Sequence, residues 1–237
     1  MKKVFLLFVL LLLFASCKSV AKHNEQITKL HAVEELHKDI NKLYKKLQRH
    51  HPKLYQYISK EKLDFKFDSL KKSINEPIDS RTFYKKLAPV VALVKQGHIS
   101  VSSVSKRFTK KERKKLKKEK FEFYNLEFQY LESKLWVKGF KGKDSSLVGN
   151  EIVSINGESA SKLVETYKTR FASDGFNTTL HNRYVSKGFS VFYYRDKGFV
   201  DSLKVTFKSK DSLYSKIFKR IKKEEKKDKN KKKSDTT

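Results

Sequence analysis

The chain has 237 residues, enough at about 150 residues per domain for one large domain or two small ones. A hydrophobic fraction of 38% with 18 Phe, 11 Tyr and 1 Trp supports a packed core and excludes wholesale disorder, while 8 Gly and 3 Pro exclude collagen-like and Pro/Gly low-complexity chains. One cysteine excludes a disulfide framework and a multi-cysteine zinc or iron–sulfur site, and the formal net charge of +29 has to be located before it is taken as a nucleic-acid footprint.

The chain begins with Lys2 and Lys3, then eleven apolar residues at 4–14, then Ala15, Ser16 and Cys17. A basic start, a short apolar run and small residues before a cut form a secretory leader. Eleven residues are too few for a membrane span, which needs about 20. Cys17 after Ala-Ser resembles the bacterial lipobox, which implies a lipidated Cys17, an exported protein and a tether in the cell envelope. The other possibility is an ordinary cleaved leader. Acyl chains supply about 0.8 kcal/mol per buried methylene, and two of them anchor stably.

About half of the charge lies in two runs. Residues 106–120 carry ten basic against two acidic residues, net +8, and residues 210–237 carry twelve against five, net +7. Such runs read as a solvated linker and a disordered basic tail. Aromatics do not interleave them as single-strand recognition requires. The charge therefore points away from nucleic acid and toward anionic headgroups, at about 1 kcal/mol per basic residue near the surface.

In chain order, Ile27, Leu30, Val33, Leu36, Ile40, Leu43 and Leu47 recur at three- and four-residue steps and predict a helix over 27–48, ended by Pro52. Ser59 caps a second helix over 60–73, with Leu63, Phe67 and Leu70 inward. A third helix over 81–95 follows the cap Ser80, with Gly97 as its stop. Ile99 to Ser102 alternate like the start of a strand. From Phe121 the period changes. Strands are expected at 121–137, 152–155, 190–195 and 200–207, with Asn156-Gly157 as a tight turn and Ser161 capping a helix over 161–171. The expected fold is α+β: an N-terminal three-helix unit, then a partly open β-barrel with one flanking helix. Its divisions are a leader at 1–17, a helical domain at 25–105, a basic linker at 106–120, a β domain at 121–208 and a tail at 209–237.

Residues 149–160, Gly-Asn-Glu-Ile-Val-Ser-Ile-Asn-Gly-Glu-Ser-Ala, lead straight into a helix and resemble the core signature of PDZ domains. Segments 51–70, 83–101 and 172–180 resemble, in order, the front half of the C-terminal-processing (tail-specific) and tricorn-type serine peptidases. The resemblance spans about 28–207. It implies an exported peptidase in which a helical segment and a PDZ-like module precede the catalytic domain. Relatives carry the nucleophilic serine after the PDZ module, but beyond Phe207 this sequence has only a charged tail, so the chain supplies no nucleophile. His98, in Gln96-Gly97-His98, matches the position that looks like the catalytic base in tricorn-type members. A base needs a serine hydroxyl within about 2.6–3.2 Å, and Ser100, Ser102 and Ser103 fit turn or strand roles better.

The resemblance implies binding of peptides or unfolded protein by strand addition, with Lys117, Lys118, Lys120 and Phe121 near the carboxylate end and Leu163 and Tyr167 on the flanking helix. Two other functions compete. One is an active serine peptidase completed by a separate chain or a downstream reading frame, and the other is a structural adaptor lipoprotein. The seven histidines show no ligand spacing, so no metal and no cofactor are expected.

Overall fold

Apolar spacing at helical period builds the first half. The computed structural model describes residues 19–142 and 145–223, so the leader with Cys17 lies outside the described residues. Helix α1 covers Val20–Thr28, strand β1 Leu30–His31, α2 Val33–His50, α3 Lys60–Lys72, β2 Ile78–Asp79 and α4 Ser80–Ala92. Four helices thus stand where three were expected. The expected 27–48 helix is divided because Lys29 turns extended and Leu30-His31 pairs antiparallel with Ile78-Asp79. Helix α3 starts where the sequence places it, with Ser59 Oγ accepting the Lys62 amide proton at 3.3 Å. The cap of α4 is Asp79 in place of Ser80, and its carboxylate accepts from the Arg81 and Thr82 amides at 2.7 and 2.9 Å. The left-handed residue after α4 is Lys95, at φ 54°, and not Gly97. Residues 99–102 form no strand, because Ile99 and Val101 pack onto the helical core.

That core gathers Leu36, Ile40, Leu63, Phe67, Leu87 and Val91. Tyr44 stacks on Phe67 at 4.2 Å and donates its hydroxyl to Asp64. Each such buried side chain contributes about 1.5–3 kcal/mol.

The second half is a curled antiparallel half-barrel with helices against it. Helix α5 covers Lys110–Lys118, followed by β3 Glu119–Phe121, β4 Leu126–Leu131, β5 Lys134–Phe140, β6 Glu151–Ile155 and β7 Glu158–Ser159. Helix α6 (Ala160–Lys168), α7 (Thr179–Lys197), β8 (Ser202–Ser209) and β9 (Ser212–Lys222) complete it. The strand order is β3-β9-β8-β6-β5-β4, and β7 pairs with β6. Two-residue turns join β4 to β5 at Glu132-Ser133 and β6 to β7 at Asn156-Gly157, all four with positive φ, as the twist of a tight hairpin requires.

Four further expectations differ from the structure. The 106–120 segment is not a bare linker. A capping box starts α5, with Thr109 Oγ1 accepting from the Glu112 amide and Glu112 Oε2 accepting from the Thr109 amide at 2.7 Å. Residues 190–195 are helical, because Val185, Phe189, Phe192, Tyr193 and Asp196 bury one face of α7 at three- and four-residue steps. The tail is ordered as β9 through Lys222, paired along its length with β8 and at its end with β3, while 224–237 lies outside the described residues. Helix α6 begins at Ala160, capped by Ser159 and not Ser161. No described helix is long and apolar enough to cross a membrane.

Candidate functional site

Strand addition needs an open sheet edge beside a helix. The sheet ends at β4, whose inner edge pairs with β5. Its other edge is covered. The Tyr130 amide donates to Ser186 Oγ of α7 at 2.8 Å, and the Phe189 ring lies 5.0 Å from Phe128 of β4 and 5.7 Å from Tyr167 of α6. Helix α7 therefore fills the space between β4 and α6. Re-exposing Val185, Phe189, Phe192 and Tyr193, all buried, would cost about 6–12 kcal/mol at 1.5–3 kcal/mol each. A micromolar peptide contributes only about 8 kcal/mol, so this edge is closed to ordinary ligands.

The residues named for the groove are not gathered into one. Lys117 and Lys118 are exposed on α5, and Lys120 is half-buried in β3, opposite Ile221 of β9. Phe121, Leu163 and Tyr167 are in the sheet core at 2%, 5% and 0% exposure. They hold α6 and β3 in place and offer no surface to a ligand. Sequence reasoning missed the covering helix because the aromatic run at 189–194 has strand propensity; the Val185–Phe189–Tyr193 spacing was the signal that could have found it.

An open concave surface lies at the junction of the two halves. It is a cleft of about 660 Å³ between the end of α4, the end of α6 and the 171–181 segment. Val90, Leu93, Phe171 and Phe176 supply apolar walls, and three ammonium groups converge on it: Lys66 from α3, Lys95 from the turn after α4 and Lys168 from the end of α6. Lys168 is committed to Glu165 at 3.0 Å, and Glu165 also accepts the Tyr130 hydroxyl at 2.5 Å. Burial works to raise the Glu165 pKa, but those two bonds overcome it and hold the carboxyl below its ordinary range. Lys66 and Lys95 have no carboxylate partner among the described residues, and Lys95 Nζ sits 3.6 Å over the Phe176 ring.

His181 closes one side of the cleft, edge-on to Phe171 at 4.9 Å. Its Nε2 is buried without a hydrogen-bond partner. Against an opposing bond to the Phe171 backbone, burial pushes its pKa below the ordinary histidine value and favours the neutral ring.

Two of the segments that carried the peptidase resemblance meet beside this cleft. The Gly97 amide donates to Asp174 Oδ1 at 2.8 Å, and the Gly175 amide, at φ 63°, donates to the Lys95 carbonyl at 2.9 Å. Gly175 has a structural reason to be glycine, since its backbone is left-handed and a Cβ there would meet Tyr57 at 3.2 Å. His98 follows directly and is exposed on a turn, with no serine hydroxyl bonded to it among the described residues.

Among the described residues, no group of three His, Cys, Asp or Glu side chains is placed to hold a metal. Comparison with protein-family models and with curated proteins finds no match for this chain.

Proposed function

We propose that this protein is the recognition portion of an exported, envelope-tethered homologue of the C-terminal-processing serine peptidases. In this reading the sheet body, with β6, the Asn156-Gly157 turn and α6, is PDZ-like. It binds extended peptides or unfolded protein at the junction cleft and not by strand addition at β4. The observation that carries the proposal is the cleft itself: apolar walls from Val90, Leu93, Phe171 and Phe176 beside the ammonium groups of Lys66 and Lys95, which have no carboxylate partner among the described residues. That chemistry fits a peptide end, with an apolar side chain against the walls and its terminal carboxylate on the lysines. The volume is within the range of small-ligand sites and too small for a folded partner.

The test is a calorimetric titration of the full chain with short peptides ending in a free apolar residue and with the same peptides amidated. Saturable binding at low salt is expected, weakened about tenfold by amidation and by Lys95→Ala. Absence of saturable binding, or equal binding of acid and amide, overturns the proposal.

A second reading rests on His98. Its exposure next to the Gly97–Asp174 contact leaves the imidazole free to meet a serine supplied by a separate chain. Proteolysis that appears on adding such a chain and vanishes in His98→Ala would establish it.

A further inference from the structure

The face of the sheet turned away from the core carries an amphipathic pattern that the peptide reading does not use. Residues paired across neighbouring strands share a face. On that face Leu213, Ile217 and Ile221 of β9 form a stripe, exposed by 65%, 54% and 37%. At about 3.4 Å per residue the stripe runs roughly 27 Å. Lysines flank it in register. Lys208 is opposite Leu213, Lys204 opposite Ile217 and Lys120 opposite Ile221, while Lys219 lies between the last two apolar residues. None of these four lysines has an ion pair among the described residues. The cross-strand row through Leu213 and Lys208 continues through Glu151 to Trp136, the sole tryptophan, which is half-buried. Helix α5, with its Lys and Arg residues, runs directly into β3 at the Ile221 end, and the Lys223 amide donates to the Lys118 carbonyl there.

We propose that this face lies on an anionic lipid bilayer. The proposal is independent of the peptide-binding reading. Exposed aliphatic side chains enter the headgroup–acyl boundary, and lysines beside them keep their ammonium groups at the level of the phosphates. Tryptophan is favoured at that boundary because its ring is apolar while its N–H keeps a polar partner, here the Leu131 carbonyl at 3.4 Å. A folded protein partner fits less well, since lysine is depleted from the cores of protein interfaces. The four unpaired lysines select negative lipid by charge complementarity, and the α5 cations extend the same field.

Trp136 makes the test specific to the face, because a leader or lipid anchor could carry the chain to vesicles of any composition. The full chain is titrated with vesicles of phosphatidylcholine alone or mixed with phosphatidylglycerol, each with brominated acyl chains, and Trp136 fluorescence is followed. Quenching is expected with the anionic vesicles, is reversed by molar salt, and is absent with the neutral ones. Lys204→Gln with Lys208→Gln should lower the partition coefficient about 25-fold, at about fivefold per lysine. Leu213→Ser combined with Ile217→Ser and Ile221→Ser should abolish the quenching. All five positions are exposed, and the wild-type lipid and salt dependence stands without any variant. No quenching by anionic vesicles, equal quenching by both kinds, or quenching unchanged in the triple-serine variant overturns the proposal. So does a salt-sensitive emission shift with poly-glutamate but not with vesicles, which would assign the face to an acidic protein.

Discussion

Asp196 lies at 4% side-chain exposure among three cations, with Arg170 Nη1 at 2.6 Å, Lys197 Nζ at 3.1 Å and Lys85 Nζ at 3.3 Å. Burial by itself would raise its pKa. The bond and charge of Arg170, then Lys197 and Lys85, overcome that and hold the carboxyl below its ordinary value. A carboxylate with a depressed folded pKa contributes stability that is complete above its unfolded value, about pH 4, and is lost as the pH falls through the lower folded value. Arg170 is itself only 8% exposed. Asp196→Asn therefore strands a buried guanidinium and should cost about 3–5 kcal/mol at pH 7 by chemical denaturation. The variant should also lose part of the acid limb below pH 4. An unchanged midpoint at pH 7 would show that the cluster does not hold the charge as described.

At the scale of elements, legibility followed the strength of local signals. Helix α3 was readable because Ser59 and an apolar face agree, and the β6–β7 turn because Asn156-Gly157 suits positive φ. Strand β9 was hidden because Leu213, Ile217 and Ile221 face outward among lysines, so its sequence lacks the buried alternation that marks a strand. Charge masked α5 in the same way, although Thr109 and Glu112 spelled out its capping box. The cleft had no local signal at all, since Lys66, Lys95 and Lys168 converge only through tertiary packing. Helix α5 buries no residue and places Lys110, Lys111 and Lys114 four residues before Lys114, Lys115 and Lys118, repulsions of about 0.2–0.5 kcal/mol each. Its cap should therefore decide whether it forms. Thr109→Ala is expected to cost about 1 kcal/mol, seen as lost hydrogen-exchange protection over 110–118 while the global midpoint stays put. Protection that survives the change would mean that docking, not capping, orders the helix.

For the whole molecule, the question is whether two cores behave as one. The described residues put 22 buried apolar side chains in the sheet core and 12 in the helical core. At comparable energy per side chain the helical part is the weaker. Beside the apolar walls of the cleft, polar contacts couple them. Arg81 Nη1 donates to the Tyr194 and Arg195 carbonyls at the end of α7, where a cation is also favoured by the helix dipole. The Gly97–Asp174 and Gly175–Lys95 hydrogen bonds close the other side, beside the cleft. Hydrogen bonds to charged groups are worth about 1.5–3 kcal/mol each, so two of them are comparable with the stability of a marginal domain. Arg81→Ala combined with Asp174→Ala should therefore split one cooperative transition into two. Trp136 belongs to the sheet body and its fluorescence reports that body alone, whereas far-UV circular dichroism weights the helices. The two probes should coincide in the parent chain and separate in the double variant, with the helical signal lost first. Coincident curves in the variant would place the coupling in the apolar contacts around the cleft. The same variant should then still bind peptide, because its walls would be holding the two halves together.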